Sequence, residues 1–306
     1  MSVIDSRGMN VERLIREIAA RFEAAKLTYG HGTDNATDEA AWLVFARLGL
    51  SHDDAPAAYT NRVSDDDCAA INALAARRID ERVPLAYLVN QAWFAGLEFY
   101  VDERVLVPRS PIAELISNHF EPWIDSRRVN RILDLCTGSG CIAIAAKYQF
   151  PEAEVCASDV SADALEVAGV NLEQHELGDH IVLYESDLFD DIPQSKFDVI
   201  VTNPPYVDTE DMDALSAEFK REPALGLRAG EDGLQLVDRI LARAGEYLSD
   251  HGILIIEVGN SQAALEQKYD FLPMTWIDFE FGGGGVCCIQ AQDLKRQQDA
   301  ITAVAS

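Results

Sequence analysis

Ile132-Leu133-Asp134-Leu135-Cys136-Thr137-Gly138-Ser139-Gly140 reads as an apolar strand running into a glycine turn, and Ile142, Ala143 and Ile144 then open a helix. Glycines in such a turn permit positive φ and let a ligand approach the backbone closely. Strand, glycine turn and helix in that order form the opening unit of a nucleotide-binding α/β fold.

Outward from this stretch, strand and helix signals alternate. Strands are expected at 131–135, 154–158, 181–185, 198–202, 252–257 and 286–291, with helices at 162–172 and 234–248 between them. That alternation specifies a mostly parallel, doubly wound sheet that binds ligands beyond the carboxyl ends of its strands. Upstream the pattern is different. Val11, Leu14, Ile15, Ile18, Phe22 and Ala25 share one face of a helix over 11–27. Thr37 is positioned to cap a second helix through Trp42, Val44, Phe45 and Leu48. Ser64 followed by Asp65, Asp66 and Asp67 starts a third, running to about Arg82, with a capping hydroxyl and acids at the positive dipole end. Residues 1–88 thus read as a small helical domain; docking of substrate is the role expected of it, with no single residue that declares this. Residues 89–108 read as a linker with an aromatic β-hairpin at 93–101, and 109–306 as the α/β domain, entered by a helix over 112–120.

Composition narrows the classes. Of 306 residues, 48% are hydrophobic, and no apolar run is long enough to span a membrane. Residues 1–16 alternate charged and apolar positions without the core of a secretion signal. The six cysteines (68, 136, 141, 156, 287 and 288) form no Cys-x-x-Cys pair. Cys287 and Cys288, adjacent in a strand, face opposite ways. Reduced thiols, no metal site and a cytoplasmic location are the expectation. The net charge of −27 is unevenly spread: residues 1–90 carry 14 acidic and 10 basic side chains, and residues 91–306 carry 38 and 15. Such an acidic α/β half disfavours a direct grip on nucleic acid and favours a very basic protein partner. The same charge also suits a chain adapted to a salty medium.

Three acids end consecutive strands. Gly138-x-Gly140-x-x-Ala143 satisfies the dinucleotide fingerprint, so the glycines alone leave NAD and S-adenosylmethionine both open. Asp134, four residues before Gly138, is badly placed for a pyrophosphate and well placed for a cationic amino-acid end. That favours S-adenosylmethionine, held by Asp134 and the turn Cys136, Thr137, Gly138, Ser139 and Gly140. Asp159 lies at the distance of a ribose-binding acid. Asp187 is placed to accept from an adenine amino group, with Leu188 or Phe189 against the ring.

Asn203-Pro204-Pro205-Tyr206 follows the fourth of these strands. The Asn amide oxygen and a proline carbonyl can accept both protons of a planar NH2 group, while the two prolines hold the loop extended. Tyr206 can cover one face. Beside a nucleotide cofactor, this points to methylation of an amide or amino nitrogen, with Asn203, Pro204 and Tyr206 as catalytic residues and Pro205 among the substrate contacts. Downstream, Asp208, Glu210, Asp211, Asp213, Glu218 and Glu222 suggest a loop that meets a basic protein.

Taken together, these residues resemble the class I S-adenosylmethionine-dependent methyltransferases (Rossmann-like) of the protein-glutamine type, the HemK-like group, over almost the whole chain. Within it, the linker Leu106-Val107-Pro108-Arg109-Ser110-Pro111-Ile112, with Pro84-Leu85-Ala86-Tyr87-Leu88 upstream, resembles the PrmB-type branch. Ser110-Pro111 departs from the Asp-Thr pattern of the release-factor enzymes. The resemblance implies methylation of a glutamine amide nitrogen in the third protein of the large ribosomal subunit, free or in an assembling subunit. It also places Asn203 beside the cofactor and Arg109 on the substrate side.

Overall fold

The computed structural model describes residues 8–51 and 55–305, so the reading of a missing signal segment lies partly outside the described residues. The chain forms two compact units. One comprises the described residues up to Ala92 together with Val101–Glu103 and Leu215–Arg221. The other comprises Trp93–Tyr100, Arg104–Ala214 and the described residues from Glu222 onward.

The first unit contains helices α1 (Val11–Ala24), α2 (Ala36–Leu48), α3 (Ala55–Ala58), α4 (Asp65–Asp80) and α5 (Leu85–Val89). The apolar stripe of α1 is buried at Val11, Leu14, Ile15, Ile18 and Phe22. Ser64 caps α4 by accepting from the Asp67 N–H at 3.1 Å. Asn35, not Thr37, caps α2: its Oδ1 accepts from the Asp38 N–H at 2.9 Å. The Asn carbonyl meets the orphan amide three residues on, so the helix starts before the threonine is reached. At the centre lies Arg78, fully buried, its Nε donating to Glu39 at 2.6 Å and its Nη2 to the Thr28 carbonyl at 2.9 Å. Glu218, from the Leu215–Arg221 segment, completes this cluster. It accepts from the Thr28 N–H and from Arg82, each at 3.0 Å, and its carboxylate lies 3.6 Å from Arg78 Nη1.

The second unit takes up the hairpin of β1 (Ala92–Phe94) and β2 (Leu97–Phe99) from Trp93 onward and continues with α6 (Ile112–Ser117). Left-handed backbone at His119 and Phe120 ends α6 short of the expected residue 120. Then come β3 (Arg131–Leu135), α7 (Cys141–Gln149), β4 (Glu154–Asp159), α8 (Ala162–Gln174), β5 (Ile181–Glu185) and β6 (Phe197–Thr202). The chain continues through α9 (Thr209–Ala214), α10 (Gln235–Tyr247), β7 (Leu248–Glu257), α11 (Gln262–Lys268), β8 (Thr275–Trp276), β9 (Val286–Gln290), α12 (Ala291–Arg296) and α13 (Gln298–Ala305). The seven-stranded sheet has the order β5-β4-β3-β6-β7-β9-β8, parallel except at β9 and β8. Sequence reading missed β8, which is too short to show periodicity, and it assigned nothing to the last two helices.

Both faces of the sheet are covered. Val199, Val201, Ile253, Ile255 and Cys288 pack with α6 and α7 on one side. Leu133, Ile200, Leu254, Ile256 and Cys287 pack with α10 and α12 on the other. The two adjacent cysteines therefore do face opposite layers, as strand alternation requires. All of β6 is buried, and its apolar run Val199-Ile200-Val201 fits a strand covered on both faces.

Candidate active site

Parallel register aligns the strand ends. Leu135 pairs with Ser158 on one side and Thr202 on the other, and Thr202 pairs with Ile256. The next residue of each strand then continues the row, so Asp159, Cys136, Asn203 and Glu257 stand side by side at the carboxyl edge. Glu185 pairs with Asp159 and extends the row. Here lies the crevice at which a doubly wound sheet receives ligands.

The cofactor side is built around Asp134. Its carboxylate is fully buried, and one oxygen, Oδ2, accepts from Thr137 Oγ1 at 2.5 Å and from the Ala143 N–H at 3.1 Å. The other, Oδ1, has no hydrogen-bond partner among the described residues. Burial pushes this carboxyl up to about 7, against the two hydrogen bonds that lower it. A buried carboxylate oxygen without a donor is costly unless a ligand supplies one. The amino group of an amino-acid end is such a donor, and the arrangement fits S-adenosylmethionine.

The turn itself is left-handed at Cys136, Gly138 and Gly140, with φ of 63°, 55° and 80°. A Cβ on Gly138 would meet nothing within 4 Å, leaving that side of the turn open for a ligand. Gly140 is tight for another reason: its Cβ would press on Ala168 of α8. Asn171, also on α8, donates to the Ser139 carbonyl at 2.8 Å and accepts from the Tyr100 N–H at 2.7 Å. This fully buried amide ties the turn to the chain just after the hairpin, and nothing in its local sequence announces it.

Asp159 accepts from the Gly138 N–H at 2.9 Å and the Ser161 N–H at 3.0 Å, one on each oxygen. Burial raises its pKa in spite of these bonds. Asp187 follows β5, is exposed, and pairs with Arg239 of α10 at 2.9 Å. Leu188 beside it is buried with φ of 55°.

On the acceptor side, Asn203 is half-buried and Pro204 buried. Among the described residues, none donates to Asn203 Oδ1 or to the Pro204 carbonyl. Tyr206 is held at both ends: its hydroxyl donates to Glu257 at 3.1 Å, and its carbonyl accepts from Ser261 Oγ at 3.1 Å. Burial first, and the Glu257 charge second, push the Tyr206 hydroxyl upward. Two glycines make room. A Cβ on Gly259 would lie 2.4 Å from the Tyr206 ring, and one on Gly233 would lie 2.5 Å from its carbonyl oxygen.

Arg109 stands in the linker with its guanidinium forked onto Glu222, at 2.7 and 2.8 Å. Glu222 also accepts from the Val107 N–H at 3.0 Å. The expectation of a six-acid substrate loop therefore needs correction. Glu218 and Glu222 have almost no exposed side chain and are ion-paired inside the protein, whereas Asp208, Glu210, Asp211 and Asp213 lie on and before α9 with at least partial exposure.

The family model "Methyltransferase small domain" matches residues 114–230. A relative from Xanthomonas campestris pv. campestris, the "Ribosomal protein uL3 glutamine methyltransferase", is 48% identical over 293 residues, covering 96% of this chain and 95% of its own. A protein of the same name from Francisella tularensis subsp. tularensis is 44% identical over 287 residues, covering 94% and 91%.

Proposed function

We propose the following reaction for this chain, which belongs to the ribosomal protein uL3 glutamine methyltransferase family: transfer of a methyl group from S-adenosylmethionine to the side-chain amide nitrogen of a glutamine in uL3. The observation that carries it is the sheet-edge row. In it Asn203 and Pro204, with their open carbonyl acceptors, follow the strand paired with β3, whose Asp134 has a buried carboxyl oxygen without a partner among the described residues.

S-adenosylmethionine supplies, when bound, an electrophilic methyl on a sulfonium. Asp134 and the turn 136–140 would hold its amino-acid end and Asp159 its ribose. Leu188 and Asp187 would lie toward the base, Asp187 with part of its charge already committed to Arg239. The amide nitrogen is a weak nucleophile because its lone pair is delocalised into the carbonyl. Asn203 Oδ1 and the Pro204 carbonyl accept its two hydrogens, which fixes its direction and favours positive charge on nitrogen as the new bond forms. Pro204 and Pro205 restrict the backbone that presents these acceptors. Tyr206 packs against the amide plane. Its hydroxyl, with its pKa pushed up, stays protonated and is no base. The methylated amide cation is acidic and releases its proton to solvent.

The four acids from Asp208 to Asp213, exposed at Glu210 and Asp213 and partly exposed at Asp208 and Asp211, favour a basic protein substrate. Among the described residues no helix is long and apolar enough to cross a membrane.

The test is to incubate the protein with S-adenosylmethionine and, separately, uL3, a peptide-chain release factor and ribosomal RNA, and to read intact and peptide masses. One methyl on a glutamine of uL3 alone is the expected result. Methyl on the release factor alone keeps the chemistry and overturns the substrate. Methyl on RNA alone, or none anywhere, overturns the reading.

A further inference from the structure

Glu257 ends β7, is 5% exposed, and stands next to Asn203 in the sheet-edge row. Each of its oxygens accepts from a hydroxyl of a different segment. Oε2 takes Ser110 Oγ of the linker at 2.5 Å, and Oε1 takes Tyr206 OH of the acceptor loop at 3.1 Å. Ser110 Oγ itself accepts from the Ile112 N–H at 3.1 Å, so its one proton is directed at Glu257. No salt bridge joins Glu257 to a basic side chain among the described residues. Arg109 opposes the rise in its pKa, yet its own guanidinium fork lies on Glu222. Burial, the dominant influence, pushes the Glu257 carboxyl up.

A carboxylate in this place is expensive compared with an apolar side chain of the same size. What it adds is direction, since two fixed acceptors orient two hydroxyls. Gly259 lines the Tyr206 ring and Ser261 holds the tyrosine carbonyl, but the hydroxyl end is held by Glu257. Ser110 belongs to the linker segment 106–112, whose residues carry the resemblance to this branch.

We infer that Glu257 is a positioning residue for methyl transfer: it orients the Tyr206 ring against the acceptor amide, and through Ser110 it makes the linker part of that orientation. This rests on the reaction proposed above, because Tyr206 acts there on the glutamine amide. Glu257 touches neither substrate nor cofactor in this assignment. Its effect passes entirely through the Tyr206 hydroxyl.

A double-mutant cycle on uL3 methylation tests it. Glu257→Gln and Tyr206→Phe should each lower kcat about ten-fold while the KM for uL3 and the Kd for S-adenosylmethionine stay within about two-fold. The double variant should be no slower than the slower single one, because both act on the same hydrogen bond: Tyr206→Phe removes its donor, and Glu257→Gln replaces the charged two-oxygen acceptor with an amide that has one. Multiplying losses, or losses confined to KM or to cofactor affinity, overturn the inference. If Glu257→Gln does not fold, Ser110→Ala takes its place in the cycle, with an expected loss of about three-fold that vanishes in the Tyr206→Phe background.

A second readout needs no turnover. With 13C-labelled tyrosine rings, the Tyr206 resonance, identified by its loss in Tyr206→Phe, should shift in Ser110→Ala, which removes a hydroxyl that does not touch the ring. An unmoved resonance overturns the coupling. Should uL3 remain unmethylated while this resonance shifts, the proposed substrate fails and the hydrogen-bonded chain from Ser110 to Tyr206 stands.

Discussion

The backbone of Gly259 lies so close to the Tyr206 ring that a Cβ built there would fall 2.4 Å from Cε2. The residue also has φ of +46°, in the region that favours glycine. Gly259→Ala must therefore displace the tyrosine ring. Overpacking of this kind costs about 1–3 kcal/mol of stability. Turnover should fall more than ten-fold at unchanged cofactor affinity, about the scale of a misplaced reacting group. Single-turnover methylation alongside calorimetric titration of S-adenosylmethionine checks both halves.

Asn203 contributes one of the two proposed amide acceptors. Asn203→Ala should reduce kcat by about 10²–10³-fold, the loss typical of one preorganised electrostatic partner. Cofactor affinity should remain within about two-fold, since Asp134 and the glycine turn are untouched. Retained turnover with intact affinity would remove Asn203 from the mechanism.

Asp134 makes the site pH-dependent with a definite sign. Its carboxyl is raised to about 7 in the folded chain, so between its unfolded value near 4 and about 7 the folded state holds the extra proton. The stability this group contributes is complete below pH 4 and is lost as pH rises to 7, by roughly 3–5 kcal/mol. Urea unfolding of wild type and Asp134→Asn without cofactor should therefore converge at pH 4.5 and diverge toward pH 7.5, the wild type losing ground. Cofactor affinity should run the other way. It strengthens as Asp134 ionises up to about pH 7, and Asp134→Asn should bind weakly with no such rise.

The Arg109–Glu222 fork joins the linker to the loop that precedes α10. Arg109→Met would take the guanidinium fork from the Glu222 carboxylate, whose side chain is unexposed and which also accepts from the Val107 N–H. Breaking one side of a buried pair of this type costs about 3–5 kcal/mol, and the partial exposure of Arg109 puts the expected loss near the lower end. Denaturant midpoints measure it. A loss of uL3 affinity with no loss of stability would instead assign Arg109 to substrate contact.

Asp208, Glu210, Asp211 and Asp213 are the acids left to meet a basic substrate once Glu218 and Glu222 are seen in their ion pairs. Changing all four to amides should raise the KM for uL3 about ten-fold at low salt, and the difference should shrink at high ionic strength as charges are screened. A KM that is unchanged at both salt concentrations would reduce these residues to a solvated surface.

Glu218 shows how far such local reading reaches. In the sequence it is one more acid in an acidic stretch. In the fold, burial would raise its pKa, but the Thr28 N–H, Arg82 and Arg78 overcome this and hold it at about 2. Its partners lie 136 or more residues earlier in the chain. The same limit explains the missed roles of Asn171 and Ser110, whose partners are likewise remote.

Local chemistry was sufficient for the longer strands, the glycine turn, the Ser64 cap and the place of Asn203-Pro204-Pro205-Tyr206 directly after a strand. Each depends on residues within a few positions of one another, through periodicity, allowed φ or a missing N–H. Sequence alone thus determined the doubly wound sheet and the residue types at its carboxyl edge. Only the tertiary structure decided which of those residues meet. Among the described residues it left Asp134 Oδ1 without a donor, locked Arg109 onto Glu222, and joined Ser110, Glu257 and Tyr206. Burial and pairing are set by segments far apart in the chain, and they reverse the meaning of a charge that local pattern reads as solvated.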